Sequence, residues 1–243
     1  MNEVLVVPDL SKKIRRREII KDVNFQVSKG DICGFIGPNG AGKTTIIRML
    51  TSLVKPTSGE ICLNGYDVIK NRKEALKHLG AIVESPIFFS HMSGEEALMN
   101  LALLIPNQSK VKRQQKVSEV LEIVGLSERK KDKISTYSLG MKQRLGIAQA
   151  LLNDPTVIIL DEPANGLDPI GIVQLRELIL KLNQEHNITF FISSHLLDEL
   201  QKICNRLVII KKGEIAWKGT KEDFLNLGQE GASLEEVFIQ LIQ

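Results

Sequence analysis

No stretch of the 243 residues approaches the ~18 consecutive apolar positions that a membrane-spanning helix needs. Runs such as residues 157–160 are strand-sized, so any membrane connection is expected to pass through another chain. The first apolar run, residues 4–7, falls short of the ~7–15 residues of a signal-peptide core, and no secreted leader is expected. Cysteine is scarce: Cys33, Cys62 and Cys204 are odd in number and lack CxxC or His-paired spacing. That argues against a disulfide framework and for reduced thiols in a core. Charge of one sign is also missing. Thirty-two Lys plus Arg against 29 Asp plus Glu leave +3, too little to recruit nucleic acid, and no such partner is expected. Internal repeats and low-complexity tracts are absent as well, so a second copy of any motif would sit on another polypeptide.

What remains is a chain 43% apolar and 25% charged, long enough to bury a substantial core. Short β-rich pieces at residues 3–7, 19–27, 31–36 and 60–63 alternate with Ser28-Lys29-Gly30, Ser58-Gly59 and Asn64-Gly65, which predict hairpins. Five cations among residues 12–17 read as a solvated turn. A helix is predicted over residues 44–53, stopped by Lys55-Pro56. From about residue 93 to 150 the period turns helical, through Ala97, Leu98, Leu101 and Leu104, then Val117, Val120, Leu121 and Val124. Residues 157–160 and 188–192 are uniformly apolar, as parallel strands buried on both faces require, with a helix over 173–183 between them. The expected fold is one α/β domain over residues 1–243. Residues 1–87 and 151–243 supply an N-terminal antiparallel β subdomain and a core, and 88–150 an inserted helical subdomain.

Gly37, Pro38, Asn39, Gly40, Ala41, Gly42, Lys43 and Thr44 fit G-x-x-x-x-G-K-[ST] between a predicted strand and helix, the context that a phosphate-binding loop demands. Glycines let successive backbone N–H groups turn toward phosphate oxygens, and the helix N-terminus adds partial positive charge. Lys43 is expected on the β- and γ-phosphates and Thr44 on Mg²⁺, with Thr45 completing the nucleotide contacts. Farther along, the strand at 157–160 ends in Asp161-Glu162, at the edge where open α/β sheets bind ligands. Asp161 is expected to hold Mg²⁺ through water. Glu162, pointing the other way along the strand, would polarise the attacking water as a base.

With what lies between them, these pieces resemble the nucleotide-binding domain of ATP-binding-cassette (ABC) transporters over almost the whole chain. The family's LSGGQ signature corresponds to Tyr137-Ser138-Leu139-Gly140-Met141; Ser138 and Gly140 match, while Leu139 and Met141 depart. Its D-loop looks like Gly166-Leu167-Asp168 and its switch histidine like His195. The resemblance implies an α/β P-loop NTPase fold with a RecA-like core, and ATP with Mg²⁺ as cofactors. The aromatic residue that commonly stacks on adenine is replaced by Ile14, and the glutamine of the Q-loop by Glu84, which becomes a further catalytic and metal-ligating candidate. Glutamate there, together with the 138–144, 168–172 and 233–238 segments, is similar to the bacitracin-resistance and lantibiotic-immunity exporters.

In that family two cassettes close head to tail around two ATP molecules, each held between one subunit's phosphate loop and the other's signature. The resemblance therefore implies a second copy of the chain, with Ser138 and Gly140 on γ-phosphate and Asp168 across the interface. It also implies a separate permease gripped by the helical insertion and the Glu84 loop, where the apolar Ile87-Phe88-Phe89 run makes Phe88 or Phe89 the expected contact. The chain would lie on the cytoplasmic face of the membrane through that permease and be soluble when expressed alone. A soluble cassette ATPase without a permease is the alternative.

Overall fold

The computed structural model describes residues 3–229 and 231–242. The chain opens with two long antiparallel strands, β1 (Glu3–Ile14) and β2 (Arg17–Ser28), then β3 (Ile32–Ile36) and helix α1 (Lys43–Leu50). There follow β4 (Cys62–Leu63), β5 (Tyr66–Asp67), α2 (Arg72–Leu76) and β6 (Leu79–Ile82). Three helices come next: α3 (Gly94–Ala102), α4 (Lys110–Ile123) and α5 (Leu139–Leu151). The second half runs β7 (Val157–Asp161), α6 (Pro169–His186), β8 (Thr189–Ser193), α7 (Leu197–Ile203), β9 (Arg206–Lys211), β10 (Glu214–Thr220), α8 (Lys221–Leu225) and α9 (Leu234–Ile242).

Two sheets result. One is four-stranded, in the order β2-β1-β4-β5 and antiparallel; the other is six-stranded, in the order β10-β9-β3-β8-β7-β6 and parallel except where β10 meets β9. The uniformly apolar strands behave as their composition dictates. Along β7, Ile158 and Leu160 lie in the apolar cluster of the helical insert, while Val157 and Ile159 lie in the one that α1 shares with the antiparallel sheet. Phe25 of β2 stacks on Phe191 of β8 with ring centroids 5.5 Å apart, and Phe35 of β3 closes the group at 5.1 Å from Phe191. These rings fasten one sheet onto the other.

The helical insert is built on serine caps. Ser93 and Glu96 form a reciprocal capping box at α3, Ser109 caps α4, and Ser138 caps α5 by accepting from the Met141 N–H at 3.2 Å. The insert shares its core with the parallel sheet, since Leu98, Val117, Leu121 and Leu145 lie in one apolar cluster with Ile158 and Phe190.

Some local expectations are corrected. Ser28-Lys29-Gly30 makes no hairpin: Thr189 Oγ1 accepts from the Gly30 N–H and Phe190 N–H donates to the Asp31 carbonyl, so the chain crosses to the other sheet there. Ser58-Gly59 makes none either, because Ser58 bridges back to Ser11 of β1. Asn64-Gly65 does turn a hairpin, with both residues at positive φ. Helix α1 ends at Leu50 rather than at residue 53, where Ser52 at positive φ lets Leu53 and Val54 N–H fold back onto the Arg48 carbonyl.

Candidate nucleotide-binding site

The parallel strands β3, β6, β7 and β8 bring four loops to one carboxyl edge of the sheet, the place where ligands bind in such folds. After β3 comes the glycine loop. Gly37 has no room for a side chain, since a Cβ there would lie 2.4 Å from the Ile210 carbonyl oxygen. Gly40 and Gly42 adopt positive φ, of 76° and 112°, which glycine tolerates without strain. Gly42 begins α1 without any side-chain cap, and no acidic residue occupies its first turn. The helix thus offers bare N–H groups and its positive end to an anion. Ala41 is buried and ties the loop to the β9–β10 turn through its carbonyl, which accepts from Gly213 N–H at 3.0 Å.

Pro38, Asn39, Gly40, Gly42, Lys43, Thr44 and Thr45 line a cleft of about 300 Å³ that Ile19 and Glu162 close. Lys43, only 8% exposed, donates to the Gly37 carbonyl at 2.7 Å and lies 3.8 Å from Glu162 Oε1. Ile14, at the end of β1, is half exposed and outside this lining; Ile19 on β2 is the aliphatic side chain at the rim.

After β7, Asp161 is buried and accepts from Ser193 Oγ at 2.6 Å. The two residues face each other in the β7–β8 register. Glu162 does not continue the strand. Its φ of 48° swings the chain into a left-handed turn fixed by Ser193, whose carbonyl and hydroxyl accept the Glu162 N–H at 3.1 and 3.0 Å. That turn, rather than strand alternation, aims the carboxylate. Its Oε2 accepts from the His195 backbone N–H at 3.2 Å and lies 2.6 Å from His195 Nδ1. Lys43, Glu162 and His195 therefore form one chain of charge and hydrogen bonds across the cleft, with Asp161 beneath it.

The remaining candidates gather elsewhere. Ser138 sits at the N-terminus of α5, and Asp168 caps α6 by accepting from Gly171 N–H at 2.9 Å. Gly140 abuts that same turn: a Cβ on it would lie 3.9 Å from Gly171 Cα. None of Ser138, Gly140 and Asp168 lines the cleft of its own glycine loop. Glu84, after β6, has φ 67° and pairs with Arg48 of α1. Sequence reasoning missed Ser193, Arg48 and Ile19. Only Ser193 had a sequence signal, a hydroxyl residue closing an apolar strand, and its partner is decided by register.

The sequence pattern described as ABC transporter matches residues 20–165. The chain belongs to the ABC transporter family. It is an ABC ATPase, the subunit that binds ATP and hydrolyses it for transport. The ATPase is 46% identical over 88% of its length to an uncharacterised ABC transporter ATP-binding protein of Bacillus subtilis, covering 69% of that protein. It is 47% identical, over the same shares of both chains, to the bacitracin transport ATP-binding protein of Bacillus licheniformis. With the lantibiotic transport ATP-binding protein of Streptococcus pyogenes it shares 39% identity, over 87% of this chain and 89% of that one. A solved ATP-binding subunit of an ABC transporter superposes with a TM-score of 0.85 at 31% identity, covering 98% and 99% of the two chains. No helix among the described residues is long and apolar enough to cross a membrane.

The oxygen donors present suit Mg²⁺. Thr44 supplies a hydroxyl at the cleft, and Asp161 supplies a buried carboxylate whose Oδ1 is already held by Ser193. Hard oxygen ligands of this kind, few in number, are what Mg²⁺ takes beside nucleotide phosphates.

Proposed function

We propose that this ATPase drives an exporter of peptide antibiotics of the bacitracin or lantibiotic kind, acting through a separate membrane permease and protecting the cell that makes it. The observation that carries this reading is the similarity, over most of the chain, to bacitracin and lantibiotic transport subunits. Growth inhibition of a strain carrying or lacking this gene with its permease, across lantibiotics, bacitracin and unrelated drugs, tests it. Selective sensitisation to peptide antibiotics is expected on deletion, and an unchanged profile would overturn the assignment.

Two copies close head to tail around two ATP molecules in this reading. Support comes from the separation of Ser138, Gly140 and Asp168 from the cleft that holds Lys43 and Glu162. Motifs on two different surfaces make a complete site only across two subunits. The loop N–H groups and the α1 terminus receive the phosphates, and Lys43 turns from Glu162 to the β- and γ-oxygens. Released from the ammonium and held by His195, Glu162 takes the proton of the in-line water as its oxygen bonds to γ-phosphorus and ADP leaves. His195 keeps its second ring nitrogen for the γ-phosphate. Thr44 and Asp161 would hold Mg²⁺, which when bound neutralises charge on the β- and γ-oxygens.

The permease is gripped by the Glu84 loop. Ile87 and Phe89 are 93% and 69% exposed there, whereas Phe88 packs into the core. Beside them, Leu53, Leu79, Val83 and Pro86 line a groove of about 460 Å³. An exposed apolar rim on a groove suits an amphipathic helix of a partner, and the ATPase then sits peripherally on the cytoplasmic face of the membrane. Replacing Ile87 and Phe89 by Ser is expected to cut permease co-purification without lowering the melting temperature, because neither side chain is buried. Unchanged co-purification would move the docking site elsewhere.

A further inference from the structure

Arg48 lies four residues beyond Thr44 on α1, and residues i and i+4 of a helix share a face one turn apart, about 5.4 Å along the axis. Thr44 lines the nucleotide cleft, and Arg48 is the next side chain on that face. Its guanidinium pairs with the carboxylate of Glu84, which arrives from the loop after β6 with its backbone at φ 67°. The pair is open to solvent, with side-chain exposures of 45% and 63%, so water competes with it and it can be exchanged for a stronger partner. Glu84 is thus paired with a counter-charge from the helix that carries the glycine loop, on a residue one turn along from the one whose hydroxyl is proposed for Mg²⁺.

We propose that Arg48 is a positioning residue for this site: it holds the Glu84 carboxylate off the metal position, so that Glu84 reaches Mg²⁺ only by breaking its pair with Arg48. The proposal rests on the assignment of the cleft to nucleotide and Mg²⁺. Its chemistry is a competition between two cations for one carboxylate. Arg48 holds the carboxylate in the structure, and Thr44 and Asp161 would hold a divalent ion whose double charge would draw it away. The loop that carries Glu84 touches the signature helix, since a Cβ on Gly146 of α5 would lie 2.9 Å from the Pro86 ring.

The test measures binding of a fluorescent ATP analogue to the purified protein as a function of Mg²⁺ concentration, so that no turnover is needed. In Arg48→Gln the Mg²⁺ concentration for half-maximal binding is expected to fall by about 2- to 5-fold, the range an exposed ion pair commands. Arg48→Lys, which keeps the charge, is expected to restore the wild-type value. The gain is expected to vanish in the Arg48→Gln/Glu84→Gln double variant, where there is no carboxylate to release. An unchanged Mg²⁺ dependence in Arg48→Gln, with wild-type nucleotide binding intact, would overturn the proposal, as would a gain that survives in the double variant. Absence of Mg²⁺-dependent binding in the wild-type protein would instead remove the nucleotide assignment on which it rests. Thermal melts of the variants, expected within a few degrees of wild type, separate these results from misfolding.

Discussion

Glu162 meets three groups that bear on its role: the Lys43 ammonium, the His195 ring and the His195 N–H. A carboxylate so placed is held in geometry, and its proposed part as base can be tested by an isosteric change that removes its proton affinity. Glu162→Gln is expected to lower ATP turnover by about 10²- to 10⁴-fold while leaving ATP binding near wild type. Steady-state hydrolysis and equilibrium binding together check this, and wild-type turnover would take Glu162 out of the mechanism. Ser193 acts one bond farther back. Its hydroxyl donates to Asp161 and accepts from the Glu162 N–H, so one side chain sets both carboxylates. Ser193→Ala is expected to raise the Mg²⁺ concentration needed for ATP binding by roughly 10-fold, the cost of losing a hydrogen bond that orients the proposed metal ligand Asp161. Gln in place of the neighbouring Glu162 would not reproduce that shift.

Among the elements, α6 and α7 are held together by charge as well as by apolar packing. Arg176 of α6 donates to Glu199 of α7 at 2.6 Å, and Lys202 donates to its other oxygen at 2.6 Å. Burial alone would push the Glu199 carboxyl up, but the donations from Lys202 and Arg176 outweigh it and hold the carboxyl below the usual range. A depressed folded-state value means that the ionised group contributes stability above the ordinary carboxyl range, and that this is lost as pH falls through the folded value. Glu199→Gln is therefore expected to cost about 1 kcal/mol at neutral pH and nothing in acid, below that window. Denaturant unfolding of both proteins between pH 7 and pH 3 checks the sign. The elements were legible in the sequence to different degrees. The 157–160 and 188–192 runs announce buried strands because both faces are apolar. The hairpin expected at residues 28–30 fails because a local turn signal carries no information about which sheet receives the next strand.

At the scale of the whole molecule, the parallel sheet gathers Lys43, Asp161, Glu162 and His195 at one edge, while Ser138 and Asp168 lie outside the cleft lining. The two-copy site proposed above therefore predicts dimerisation on ATP. Glu162→Gln, expected to bind without hydrolysing, is expected to form a dimer with ATP, whereas adding Ser138→Ala should weaken it by removing the proposed γ-phosphate donor as well as the cap of α5. Light scattering with and without ATP distinguishes these. A monomer under all conditions would overturn the two-copy site.

The sequence by itself determined the glycine loop, the carboxylate pair and the class of fold. Their signals are local: steric freedom at glycine, a helix terminus with bare N–H groups, and the periodicity of apolar positions. It also fixed what is missing, since no apolar run can span a bilayer. Only tertiary structure decided which oxygen Ser193 would hold, that a left-handed turn rather than strand alternation aims Glu162, and that Arg48 would receive Glu84. Those pairings join residues 31 to 36 positions apart. Such contacts depend on strand register and on the placement of one helix against a sheet edge, and no local pattern of side chains encodes either.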